Sequence, residues 1–334
     1  MAQKKIGKQT IQFSSVPVIT SAAAVVGPME GQGPLGDKYD MVCEDTLVGE
    51  RTWEMAEQKM MQYSMELALE KRGLLAGDLD FYLAGDLLNQ IICANFTARF
   101  LNTPFLGLYG ACSTMAEGLC LAGILLEGGF AERIGVSASS HHDTAERQYR
   151  SPTELGTQRP MTAQWTVTGS GSCVVERLGE GIKLTHATVG KIKDLGVSNS
   201  NDMGSAMAPA AFDTIKTHLQ DLGRKVEDYD LIITGDLGLY GHTLLKELMQ
   251  KEGYSTEKLN DCGILVYDPK QDTHSGGSGC GCSAVVLTAH LLEKMQKGAY
   301  RRILFIGTGA LLSPLSVYQG ETIPCIAHGV VLET

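Results

Sequence analysis

The sequence predicts an α/β protein of two similar halves, residues 1–180 and 181–334, each containing a mostly parallel sheet. Three observations predict this fold: short apolar runs alternate with helix-like patterns, these runs are continuous enough for strands buried on both faces, and the order of the segments repeats. A chain of 334 residues, 43% of them hydrophobic and 20% charged, is long enough for two packed cores.

The clearest sign of two halves is an internal repeat. The stretch "DLDFYLAGDLL" begins at residue 78, and "DYDLIITGDLG" begins at residue 228. A helical stripe of apolar residues precedes each copy and ends near a glycine, which is typical of a helix C-terminus. Further on, "GGFAERIGVSAS" resembles "KGAYRRILFIGTG", and "GSCVVER" resembles "HGVVLET". The matched residues of the first two stretches are Asp78 with Asp228, Asp80 with Asp230, Gly85 with Gly235 and Asp86 with Asp236.

Each half therefore reads as strand, helix, strand, strand, helix, strand, strand. In this scheme "FLGLYG" at residue 105 is matched with "ILVYDP" at residue 264. One helix is expected to begin at Cys112 and another near Gly281, and packing the halves face to face would place both helices between the two sheets. The expected strands lie near residues 16–26, 79–84, 104–109, 133–139 and 170–177, and again near 182–189, 229–234, 262–267, 302–308 and 328–333.

Charge and cysteine content argue against several classes of protein. A net charge of −10 without a lysine–arginine cluster argues against nucleic acid as a partner. The N-terminal "MAQKKIGKQTIQFSS" lacks the apolar core of a signal peptide, and no run reaches the ~18 apolar residues of a spanning helix, so we expect a soluble or peripheral protein. Nine scattered cysteines indicate a reducing compartment, and the spacing in Cys280-Gly281-Cys282 is not that of a zinc site. We expect no cofactor.

The helix start "GACSTMAEGL" and the duplicated halves resemble the thiolase-like fold of ketoacyl synthases and thiolases. The resemblance covers essentially the whole chain and implies an αβαβα layered sandwich of two βαββαββ halves. A closer resemblance, in "VPVITSAAAVVGPMEGQGPLGDKYD", "SASSHHDTAERQYR" and "THSGGSGCGCSAVVL", is to a thiolase-like family that serves dipicolinic-acid transport in bacterial spores. It implies dipicolinic acid or its calcium chelate as ligand and small membrane proteins of the same system as partners at the spore inner membrane. Family members usually dimerise through a first-half strand, here near "GLYGAC".

The residues at the family's catalytic positions depart from the enzyme pattern. The nucleophile position holds Cys112, but the histidine expected after "DLIIT" is replaced by Asp236. The asparagine or second histidine expected before the second central helix is replaced by Ser278, with Ser275 and His274 as alternatives for that register.

This replacement argues against catalysis by the cysteine. Acyl transfer needs donors directed at a developing oxyanion, whereas an ionised Asp236 offers only acceptors. At a separation of about 4 Å and an effective dielectric constant near 20, its repulsion with a thiolate at Cys112 is ~4 kcal/mol. We therefore interpret Cys112 as a vestigial nucleophile that lines a ligand pocket.

Other side chains are candidates for holding the ligand. His141 and His142 follow a predicted strand at the carboxyl edge of the sheet, where ligands commonly bind, although a turn-capping or solvated pair would have the same pattern. Arg159 lies in a loop and could hold a carboxylate bidentately, or be an ordinary surface arginine. Asp236 is expected either to complete the Ca²⁺ shell of calcium dipicolinate or to meet a protonated ligand.

Three functions remain open from the sequence. The leading interpretation is a non-catalytic protein that binds dipicolinic acid for transport into or out of spores. The alternatives are a condensing or acyl-transfer enzyme that uses Cys112 and a scaffold that docks membrane channel subunits without binding a small molecule. An acyl adduct on the cysteine would distinguish the enzyme from the other two.

Overall fold

A computed structural model describes residues 4–148 and 159–334. A π-helical turn at Leu287–Leu291 joins the ninth and tenth helices into one continuous helical segment. The helices are α1 (Pro28–Gly31), α2 (Trp53–Arg72), α3 (Ile92–Leu101), α4 (Thr114–Glu127), α5 (His142–Gln148), α6 (Met203–Leu222), α7 (Gly238–Lys251), α8 (Cys262–Leu265), α9 (Cys280–Val286), α10 (Leu292–Gln296) and α11 (Pro314–Tyr318). The strands are β1 (Lys5–Ile6), β2 (Thr10–Gln12), β3 (Val18–Val26), β4 (Met41–Val42), β5 (Phe81–Gly85), β6 (Phe105–Gly107), β7 (Arg133–Ser140), β8 (Trp165–Thr166), β9 (Gly169–Glu176), β10 (Ile182–Thr188), β11 (Leu231–Thr234), β12 (Leu259–Asp261), β13 (Gly277–Ser278), β14 (Arg302–Ala310) and β15 (Cys325–Glu333).

The strand order repeats between the two halves. The first half runs β6-β5-β7-β9-β3 and the second runs β12-β11-β14-β15-β10, and the two sets join where β3 meets β10. The sheet is mixed rather than mostly parallel, because β9 and β15 lie antiparallel to their neighbours β7 and β14. Continuous apolar runs report burial on both faces of a strand but not its direction, which explains this difference from the prediction.

The helices form the layers expected of an αβαβα sandwich. Helices α4 and α9 pack against each other and lie between strands of the two halves, while α2 and α6 cover the outer faces. Both outer helices end as predicted at a left-handed glycine, Gly73 and Gly223, with φ of 72° and 62°. The largest cluster of buried apolar side chains includes residues of both central helices, such as Met115 and Val285.

The matched aspartates Asp80 and Asp230 make equivalent hydrogen bonds in the two halves. The Asp80 carboxylate accepts the backbone N–H of Arg133 at 3.0 Å, where β7 begins. The Asp230 carboxylate accepts the backbone N–H of Arg302 at 2.9 Å, where β14 begins. The internal repeat therefore corresponds to a structural duplication, while the boundary near residue 180 stays a prediction.

The strand expected near residues 262–267 was wrong. The strand at this place is β12, which ends at Asp261, and the apolar residues that follow it form the short helix α8. A short buried apolar run has no period that separates strand from helix. The match of "FLGLYG" with "ILVYDP" was wrong for the same reason. The strand β6 within "FLGLYG" lies at the edge of the sheet beside β5, and its counterpart at the other edge, beside β11, is β12, which precedes "ILVYDP" in the chain.

The described helices were also compared with the requirements of a membrane span. Within residues 4–148 and 159–334, none combines the length and the apolar character needed to cross a bilayer.

Candidate functional site

Cys112 lies at the N-terminus of the first central helix, as the sequence predicts. A 3-10 turn, Ala111–Ser113, connects β6 to α4 and places Cys112 where it is 6% exposed. Ala111 has a φ of 48°, a left-handed conformation that is costly for a residue with a side chain. The strained turn holds the thiol at the carboxyl edge of β6.

Asp236 lies beside this thiol and is completely buried. Its Oδ1 accepts a hydrogen bond from Thr308 Oγ1 at 2.7 Å, and its Oδ2 accepts from Ser278 Oγ at 2.9 Å and from the backbone N–H of Gly279 at 3.0 Å. The Cys112 thiol also hydrogen-bonds to this carboxyl group. The structure thus brings together Cys112, Asp236 and Ser278, the three residues that the sequence resemblance predicts at one site.

Burial dominates the electrostatics of the site. It raises the pKa of Asp236, and the donors that surround the carboxyl group oppose that rise. A second buried carboxyl group is that of Asp261. It accepts the backbone N–H groups of Leu237 and Gly238, the two residues that follow Asp236, at 2.8 and 3.0 Å. Burial raises the pKa of Asp261 to about 7. The hydrogen bonds described for both carboxyl groups come from hydroxyls, backbone amides and a thiol.

The loop before α9 presents one of the three candidate side chains to Asp236. Ser278 is in β13, which pairs with β8, and its hydroxyl donates to the carboxyl group. Ser275 is also buried, but its hydroxyl lies 3.5 Å from the backbone N of Tyr240. His274 contacts the carbonyl of Pro160 through Nδ1 at 2.8 Å. Of the three, Ser278 has the described contact with Asp236.

His141 is buried and has a structural contact on each ring nitrogen. Its Nδ1 accepts the backbone N–H of Asp143 at 3.2 Å, so its Nε2 carries the proton and donates to the Thr46 carbonyl at 2.7 Å. Burial lowers its pKa, which keeps the ring neutral. A ligand-binding role for His141 stays a prediction.

His142 and Arg159 meet at Trp165. The His142 ring stacks on the indole with centroids 3.6 Å apart and planes 2° apart. The Arg159 guanidinium carbon lies 4.8 Å from the centroid of the indole, and its Nη2 donates to the Asp272 carbonyl at 2.8 Å. This aromatic and cationic cluster adjoins a cavity of about 620 Å³ lined by Arg159, Pro160, Met161, Asp272 and His274.

Two residues of the site were not predicted from the sequence. Thr308 ends the expected strand 302–308, and its position at a carboxyl edge of the sheet was a usable signal. Gln164 donates from Nε2 to the carbonyls of Asp236 and Gly277 at 2.6 and 3.0 Å. Its role depends on the packing of distant loops, so no local pattern identifies it.

Potential metal ligands meet at one other place in the described ranges. Glu57, Asp86 and Cys93 have ligand-type atoms within 4.8 Å of one another. The carboxylate oxygens already accept hydrogen bonds from hydroxyl and backbone N–H groups, so this cluster is arranged as a hydrogen-bonded core rather than as an open metal site.

The fold and the site define a thiolase-like protein whose cysteine meets a carboxyl group. Solved structures support the fold. The 3-oxoacyl-[acyl-carrier-protein] synthase III of Aquifex aeolicus VF5 is similar with a TM-score of 0.61 and 15% identity, over 95% of this chain and 100% of the enzyme. The OleA protein of Xanthomonas campestris is similar with a TM-score of 0.64 and 14% identity, over 97% of this chain and 99% of that protein.

The chain belongs to the stage V sporulation protein AD family, whose family model matches residues 7–333. The stage V sporulation protein AD of Bacillus subtilis (strain 168) is 49% identical over 331 residues, which cover 99% of this chain and 98% of that relative. The thiolase-like fold and the sporulation family expected from the sequence are confirmed.

Proposed function

We propose that this protein binds dipicolinic acid, or its calcium chelate, without catalysing a reaction and serves its transport into or out of spores. Membership of a sporulation family supports the setting, and the geometry at Asp236 supports the absence of catalysis. Small membrane proteins of the same transport system would be its partners at the spore inner membrane.

The observation that carries the proposal is the direction of the donors around Asp236. Acyl transfer through Cys112 would need donors directed at the oxygen of a thioester. The Ser278 hydroxyl and the Gly279 N–H lie at the start of the second central helix, where the enzymes supply such a donor, but both donate to Asp236. The site therefore stabilises a carboxyl group of the protein instead of an oxyanion of a substrate.

Incubation with short- and long-chain acyl-CoA, followed by intact-mass analysis, tests this point. We expect no acyl adduct on the wild-type protein and none on the Cys112→Ala variant. A stoichiometric adduct that Cys112→Ala removes would favour the condensing-enzyme alternative. If neither an adduct nor dipicolinate binding is observed, the scaffold alternative is favoured.

A homodimer through the first-half edge of the sheet is part of the proposal. Strand β6 lies at this edge, and four large apolar side chains on it and on the adjacent α3 are exposed. Their exposed fractions are 39% for Ile92, 36% for Phe96, 53% for Phe100 and 46% for Leu106. An edge strand flanked by an exposed apolar helix face is suited to pairing with a second copy.

We expect Phe100→Glu to convert a dimer into a monomer, because a charge would be buried in the apolar interface. Light scattering coupled to size-exclusion chromatography measures the mass directly. Phe130→Glu is the matched control, since Phe130 is 71% exposed and lies in the loop between α4 and β7. A monomeric wild-type protein, or a dimer that survives Phe100→Glu, would contradict this interface.

A further inference from the structure

The exposed apolar side chains of the second half are concentrated on three segments of the chain. Within residues 181–334, all of which the structure describes, seven large apolar side chains are exposed. They are Val189, Ile192 and Leu195 after β10, Leu239 and Tyr240 after β11, and Leu315 and Tyr318 after β14. Each of them therefore lies on a segment that follows the carboxyl end of a strand.

The strand directions bring these three segments to the same edge of the sheet. Strands β11 and β14 are parallel, and β10 and β14 both lie antiparallel to β15, so the carboxyl ends of all three point the same way. Backbone hydrogen bonds also link the first and third segments. Lys193 and Cys325 exchange two such bonds of 2.8 Å, and the Leu311 N–H donates to the Pro324 carbonyl at 2.9 Å.

The second segment joins this surface and adjoins the candidate site. Gly204, near the start of α6, lies so close to it that a methyl group there would be 2.1 Å from the Leu237 carbonyl oxygen. Asp236 directly precedes the segment, and its partner Thr308 lies on β14, three residues before Leu311. We call the surface formed by residues 189–197, 237–240 and 311–318 the apolar edge. It shares one edge of the sheet with the buried carboxyl group.

The apolar edge also differs in charge from the rest of the protein. Its charged residues are Lys191, Lys193 and Asp194, two lysines and one aspartate, so that its net charge is +1. The whole chain has a net charge of −10, and the excess of negative charge therefore lies elsewhere. A surface of anionic headgroups would repel the rest of the protein but not this edge, and would thus turn this edge toward itself.

The side chains that project from the apolar edge suit the boundary between lipid and water. On the short helix α11, Leu315 is 66% exposed and Tyr318 is 88% exposed. A tyrosine has an apolar ring and a polar hydroxyl, and such side chains are enriched at the level of lipid headgroups. A leucine beside it gains free energy when its apolar surface leaves water for the acyl boundary.

We propose that the apolar edge docks on the surface of a bilayer that contains anionic lipid, with Leu315 and Tyr318 at the level of the headgroups. The inference rests on the proposed location at the spore inner membrane and adds the docking surface and its partner, which is lipid. Docking in this orientation turns the edge that holds Asp236 toward the membrane. A ligand exchanged with membrane proteins would then have the shortest path to the site.

Flotation of the full-length protein with protein-free vesicles of phosphatidylglycerol and phosphatidylethanolamine tests the proposal. We expect the wild type to float, and Leu315→Glu to weaken vesicle binding about tenfold or more, because a charge replaces an inserted leucine. Leu178→Glu is the matched control. Leu178 is also 66% exposed, but it precedes β10 and lies at the opposite end of that strand, so this variant should float like the wild type.

Two outcomes would overturn the proposal. A wild-type protein that does not float would mean that lipid is not the partner and would favour a protein at this surface. Equal flotation of Leu315→Glu and Leu178→Glu would mean that the protein binds lipid through another face. If circular dichroism shows that Leu315→Glu does not fold, Tyr318→Glu takes its place with the same expected loss of binding.

Lipid docking and ligand binding can be separated by experiment. Leu315 is not among the residues that contact Asp236, so calorimetric titration of Leu315→Glu with dipicolinate should match that of the wild type. Flotation without dipicolinate binding would retain the docking surface and contradict the proposed ligand. Dipicolinate binding without flotation would retain the ligand and contradict the docking surface.

Discussion

Replacement of Asp236 by asparagine is expected to abolish the pH dependence of dipicolinate binding without disrupting the fold. Metal-free dipicolinate carries two negative charges and would bind best next to a neutral Asp236. Burial raises the pKa of Asp236, so the protein has to keep or take up a proton to bind this ligand. Affinity should therefore fall by up to about tenfold for each pH unit above that pKa.

The asparagine variant should fold because its amide can satisfy three of the four partners of the Asp236 carboxyl group. Its Nδ2 can donate to Thr308 Oγ1, and its oxygen can accept from Ser278 and from the Gly279 N–H. Calorimetric titrations at several pH values would measure the expected flat affinity, with the exposed Asp37→Asn as a control that retains the wild-type dependence. Identical pH profiles for the wild type and Asp236→Asn would contradict the role given to Asp236.

The calcium chelate provides an independent comparison. The two positive charges of Ca²⁺ balance the two negative charges of dipicolinate. The affinity of the chelate for the wild-type protein should therefore depend little on the ionisation of Asp236. The Asp236 oxygens already accept four hydrogen bonds, and coordination of Ca²⁺ would have to displace at least one of them. Loss of chelate binding alone in Asp236→Asn would show instead that Asp236 completes the calcium shell.

Replacement of Gly171 by alanine is expected to destabilise the fold by about 3 kcal/mol. Gly171 lies in β9 against the second central helix, and a methyl group there would be 2.5 Å from the carbonyl carbon and oxygen of Ala284. These are backbone atoms of α9, so relief of the clash requires the helix to move away from the sheet.

Urea unfolding monitored by circular dichroism would measure this loss of stability. Gly77→Ala is the matched control, because a methyl group at Gly77 meets nothing within 4 Å and should change the free energy of unfolding very little. Equal stability of the two variants would show that β9 and α9 do not pack as closely as described.

Much of the fold and the centre of the site could be predicted from the sequence. The repeated aspartates indicated the duplication. In the structure Asp80 and Asp230 accept backbone N–H groups at the first residues of β7 and β14. Cys112 was placed at a helix N-terminus by the local pattern, and Asp236 was matched to it through the resemblance to thiolase-like enzymes; both follow strands at the carboxyl edge of the sheet. The sequence did not predict the direction of β9 and β15 or the boundary between β12 and α8. Apolar runs indicate burial more clearly than strand direction or local conformation.

The surroundings of the site depended on loop packing that sequence patterns do not describe. Arg159 and His142 were predicted as separate ligand-binding candidates, and the structure joins them through Trp165, which had no assigned role. Gln164 was missed for the same reason.

The most direct test of the central claim is a calorimetric titration of the purified protein with dipicolinate, with and without calcium. The account predicts saturable binding in at least one condition and an altered affinity in Asp236→Asn. Absence of binding in every condition would contradict the claim that the site formed by Cys112, Asp236 and Ser278 holds dipicolinic acid.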